Sequence, residues 1–129
     1  MLINYYIKNI VISFFSLVVI SAVFVAILDY TPEGFVYCGV AVAIGVMLIG
    51  LILIGYYNAY TAKIKNVKHT WCLHFLFLLC LLSFDLLFGD KELWMNIVRN
   101  FVYFLALQIG VYIYMKKNDI SWKNFQNAV

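Results

Sequence analysis

The chain has 129 residues, of which 66% are hydrophobic and only 12% charged, with a formal net charge of +3. Soluble domains carry about twice that share of charge, and a mean hydropathy of +0.96 points to a bilayer, where spans of roughly 20 residues each leave no room for an extramembrane domain. The basic residues are scattered over short polar segments and build no basic face with interleaved aromatics, which argues against nucleic acid as a partner.

In chain order, four apolar segments are expected to cross the membrane, at about residues 10–28, 35–57, 71–88 and 94–114. The first follows Lys8 and is too long for a signal-peptide core, so it is expected to be retained. A turn at residues 29–34, with the single proline Pro32, leads to the second. A polar, basic connection over about 58–70 leads to the third, and residues 89–93 lead to the fourth. No segment alternates with a period of two, and a spanning chain must satisfy its backbone internally, so all four are expected to be helices. The fold class is therefore an all-α membrane protein, a compact antiparallel bundle of four transmembrane helices forming one domain. A short tail, 115–129, follows, in which Ile120, Trp122 and Phe125 could lie against headgroups.

Lysine and arginine accumulate in cytoplasmic loops. With four alternating spans, Lys8, Lys63, Lys65, Lys68, Lys116, Lys117 and Lys123 share one side, whereas Asp29, Glu33, Asp90 and Glu92 face the other with Lys91. Both termini are thus expected in the cytoplasm of a bacterium, with the chain in its inner membrane.

Helices in lipid associate through close contact, which favours small residues in a stripe. Gly39, Ala43 and Gly50 fall on one face of the second helix, and Ala41, Gly45 and Gly55 on nearly the opposite one. Two charges lie inside the apolar runs. Asp85 precedes the end of the third segment and Arg99 follows the start of the fourth, which puts both roughly 5 to 8 Å below the outer boundary. Antiparallel neighbours joined by a short loop would bring them together as an intramembrane ion pair, either pinning helix register or forming part of a site open to the outer face. His74 is expected to be a hydrogen-bonding residue near the inner interface, with a proton relay through Gln108 as the alternative. Gln108 itself is expected to bond across helices.

Catalytic signatures are lacking, so no enzymatic activity, catalytic residue or cofactor is assigned. His69 and His74 have no ligand spacing that would suit a metal. Cys38, Cys72 and Cys80, odd in number and without a CxxC pair, are expected to be inert packing residues.

The opening Tyr5-Tyr6-Ile7-Lys8-Asn9-Ile10 before an apolar span resembles the start of the small inner-membrane immunity proteins that protect bacteria from pore-forming colicins. The resemblance covers about six residues and implies recognition, within the membrane, of a toxin's inserted hydrophobic hairpin. Besides lipids, the partner would then be a membrane-inserted protein, with homo-oligomers possible. Two alternatives stand beside it: a small transporter or GtrA-like protein of lipid-linked sugar translocation, and an accessory subunit of a larger membrane complex.

Overall fold

The structure, a computed structural model, describes residues 2–89 and 92–119, without the side chains of 63–67. The expectations for Asp90, Lys91 and the tail beyond residue 119 therefore lie outside the described residues. Three helices account for nearly all of the described chain: α1 (Leu2–Tyr30), α2 (Val36–Phe88) and α3 (Leu93–Lys117), with a single 3-10 turn, Glu33–Phe35, before α2.

Helix α1 stops where the sequence forbids it to continue. Pro32 has no amide hydrogen to donate and disfavours helical backbone at Thr31. The Thr31 hydroxyl turns back to donate to the Ile27 carbonyl at 2.5 Å. At its far end α2 stops at Gly89, whose amide donates to the Asp85 carbonyl. Lys116 and Lys117 occupy the last turn of α3, where a positive charge complements the helix dipole.

Helical backbone runs through 58–70, the segment that composition marks as a connection between spans. Even so, α2 does not extend as a rod. Asn58 and His74 would stand about 24 Å apart along a straight helix, yet their side chains meet at 3.2 Å. Tyr5 touches both the Asn58 carbonyl and the Thr70 hydroxyl, so the chain reverses between those two residues. Four lengths of helix result, each long and apolar enough to cross a membrane: Leu2–Tyr30, Glu33–Ala62, Lys68–Phe88 and Leu93–Lys117. The first begins well before residue 10, because Tyr5 and Asn9 turn inward and let the helix start among polar partners.

The four lengths alternate in direction. The first limb of α2 runs antiparallel to α1, with Asn58 against Ser13 and Gly50 against Ile20. The second limb runs parallel to α1, with the rings of Phe14 and Phe77 edge to face at 5.2 Å. Helix α3 packs on both limbs. Leu51, Ile54, Phe77, Ala106 and Leu107 form the principal apolar core, and Ala59, Val111, Tyr114 and Met115 a second cluster towards the end where α2 reverses.

The distribution of side chains is inverted relative to a soluble bundle. In α1 the fully buried residues are Asn9 and Ser13, whereas Phe15, Val18 and Val19 are more than half exposed. Cys38, Cys72 and Cys80 are free and face outward, a correction to the packing role expected of them. An outer surface this apolar is suited to lipid.

Glycines set the closest approaches. Gly39 and Ala43 are buried, and Gly39 abuts Thr31, just past the end of α1, while Gly50 abuts Ile20 of α1, so this face receives α1. On the other face Gly45 has open space and Ala41 is exposed, while Gly55 lies directly on the Leu107 carbonyl and Gly110 of α3 on the Ile52 carbonyl. At that crossing two backbones touch. Replacing Gly55 or Gly110 with valine is expected to destabilise the bundle by about 1 to 3 kcal/mol or prevent its assembly, whereas Gly45→Ala, with open space for its Cβ, is expected to leave stability unchanged or raise it by up to about 1 kcal/mol. Equilibrium unfolding of the purified protein in mixed micelles compares the three directly.

Candidate functional site: polar clusters inside the bundle

Polar side chains in the interior fall into two groups on either side of the apolar core. The inner group lies at the end where α2 reverses. On α1, Tyr5, Asn9 and Ser13 recur every four residues and so share one stripe. Facing them are Asn58 and Thr61 of the first limb, and Thr70 and His74 of the second.

Their hydrogen bonds join all four helical lengths. The Tyr5 hydroxyl donates to the Asn58 carbonyl at 2.9 Å and meets the Thr70 hydroxyl at 3.2 Å. Thr61 donates to Asn9 Oδ1 at 2.9 Å, and the Asn9 amide donates back to the Tyr5 carbonyl. Asn58 Nδ2 reaches Ser13 Oγ and His74 Nε2, each at 3.2 Å. On the other edge of the imidazole, Gln108 of α3 meets His74 Nδ1 at 3.2 Å. A neutral imidazole has one N–H and one lone pair, so of the two amides one donates and the other accepts. Both contacts are made through amide nitrogens, Asn58 Nδ2 and Gln108 Nε2, so one of the two amides turns over to accept from the ring while the other donates to it.

His74 is fully buried within the bundle and is hydrogen-bonded at both ring nitrogens. It bridges the two limbs of α2 to α3. The connection to Gln108 is direct, without the intermediates that a path from His74 to Asp85 would need. Between this group and Asp85 stands the apolar layer of Leu51, Ile54, Phe77 and Leu107.

The outer group is built around charge. Arg99 Nη2 donates to Asp85 Oδ2 in an ion pair and to Asn96 Oδ1 at 3.3 Å. The pair lies at the edge of the interior, with the arginine side chain 45% and the aspartate 25% exposed. Beside it Asn100, one turn along α3 from Asn96, is buried. Neither polar atom of its side chain has a hydrogen-bond partner among the described residues. Asp85, Arg99 and Asn100, together with Ser21 and Tyr103, line a pocket of about 180 Å³ to which every helical length contributes.

Asp85, Arg99, His74 and Gln108 are thus distributed over two sites, the first two in the outer and the last two in the inner. Sequence reasoning missed Asn9, Asn58, Thr61, Thr70, Asn100 and Gly110. For most of the polar ones a signal exists, the repeat of polar residues at three- or four-residue spacing within helical runs, as in Tyr5-Asn9-Ser13, Thr70-His74 and Asn96-Asn100. No group of three or more histidine, cysteine or acidic side chains that could hold a metal ion occurs among the described residues. Compared with protein families, curated proteins and solved structures, the chain has no significant match.

Two outcomes are expected in unfolding measurements. His74→Leu leaves the Asn58 and Gln108 amides without their shared partner and is expected to lose about 1 to 3 kcal/mol, against no more than about 0.5 kcal/mol for Ser83→Ala on the outward face. In a double-mutant cycle, Asp85→Asn and Arg99→Gln are expected to couple by about 0.5 to 1 kcal/mol, and strictly additive losses would contradict a pairing that stabilises the fold.

Proposed function

We propose that this chain is a multi-pass protein of the bacterial inner membrane, with both termini cytoplasmic, that acts by recognising another protein within the bilayer. The proposed partner is a pore-forming bacteriocin, against which the chain confers immunity. The observation that carries the reading is the inverted bundle, with polar groups joined to one another inside and an outer surface of exposed apolar side chains such as Phe15, Leu53, Phe101 and Ile109. Such faces are wetted by lipid and are equally available to an inserted helical hairpin, with which association rests on close packing and a few polar contacts. The likeness of Tyr5-Tyr6-Ile7-Lys8-Asn9-Ile10 to immunity proteins supports the choice of partner. The lysine distribution supports the orientation.

Translocation of a small solute is the second reading, favoured by the polar pocket beside Asp85 and Arg99. The apolar layer beneath that pocket supports the first reading over it, because it separates the two polar groups.

Expression of the chain in a bacterium susceptible to pore-forming colicins tests the proposal. Survival is expected against one toxin of a panel and not against the rest. Killing by every toxin at the dose that kills cells without the gene would contradict it.

A further inference from the structure

The outer pocket is lined by a buried amide that bonds to none of the described residues. Asn100 is 7% exposed, and its Nδ2 and Oδ1 have no partner among the described residues, although an unmet amide in an apolar interior is strongly disfavoured. The residues around it show what could meet it. Asp85 and Arg99 already neutralise each other. A charged ligand finds no unpaired counter-charge there, so the pocket favours a neutral one. Ser21 and Tyr103 add hydroxyls, and the Tyr103 hydroxyl donates to a weak acceptor, Met47 Sδ at 3.8 Å. The amide needs one group that accepts and one that donates. About 180 Å³ of space admits a handful of non-hydrogen atoms, given that a water molecule takes up about 30 Å³.

We propose that the pocket formed by Ser21, Asp85, Arg99, Asn100 and Tyr103 binds a small uncharged polar solute that carries both a hydrogen-bond donor and an acceptor, such as a primary amide. The solute bonds to Asn100 through both groups and leaves the Asp85–Arg99 pair intact. The site is independent of any toxin, so loss of immunity and loss of solute binding are separate results.

The test uses the full chain in lipid nanodiscs, with Cys38, Cys72 and Cys80, all outward-facing, changed to alanine and Ser21→Cys placed in the pocket wall. Three methanethiosulfonates of similar size are compared: hydroxyethyl (neutral), aminoethyl (cationic) and sulfonatoethyl (anionic). The neutral reagent is expected to label Cys at position 21 about tenfold faster or more than either charged one, since charge is disfavoured in an apolar surround. Acetamide is expected to slow that labelling, and Asn100→Leu to abolish the protection. Equal rates for all three reagents, no labelling, or labelling that acetamide does not slow would each overturn the proposal, the last by showing a pocket that holds water alone. Leu17→Cys, also in the pocket wall, serves as a second reporter if Ser21→Cys does not fold, folding being judged by circular dichroism and a monodisperse elution profile.

Discussion

A side chain at position 58 that touches one at position 74 is the contact from which the architecture follows. Those positions lie on one continuous run of helical backbone, and their meeting at 3.2 Å forces that run back on itself. Once α2 has reversed, α1 and α3 can each pack across both limbs. The interior this creates is where every remaining contact is made. Asn58 is also the point where α1 joins, through Ser13 and the Tyr5 hydroxyl. His74 hands the connection on to α3 through Gln108.

The energetic logic is that of a bundle whose outside is at least as apolar as its inside. In lipid, burial of apolar surface would not distinguish such a bundle from separated helices, and contact geometry and hydrogen bonds would supply the specificity. Two devices supply them. At the Gly55–Gly110 crossing the first limb and α3 touch backbone to backbone, a fit that larger side chains would prevent. At the reversing end the polar network fixes the rotation of all four lengths, because turning any of them outward would expose an asparagine, threonine, histidine or glutamine to an apolar surround.

Much of this was legible in the sequence, and the reasons for the rest are physical. Four apolar lengths long enough to cross a membrane follow from composition and window length alone. Asp85 and Arg99 stood out because charges are conspicuous in apolar runs and a short turn sets their heights. The inner network was hidden for the opposite reason. Asn58, Thr61 and Thr70 sit where helices approach an end, and there a polar residue looks like part of a connection. Only their spacing on helical faces, and the turn of Tyr5 and Asn9 towards them, shows that they point inward. The stripe of Gly39, Ala43 and Gly50 was visible as a period, but the tighter contact of Gly55 depends on Gly110, more than fifty residues away, and no local pattern joins the two.

The reversal of α2 is the claim on which the bundle, both polar clusters and the proposed roles rest. Pulsed electron paramagnetic resonance between spin labels at Ile44 and Leu87, both outward-facing, on the full chain in lipid measures it directly. Neighbouring antiparallel limbs place the labels below about 30 Å apart, since packed helix axes lie about 8 to 10 Å from one another. A distance near about 65 Å, the separation along an unbroken helix at 1.5 Å per residue, would contradict the account.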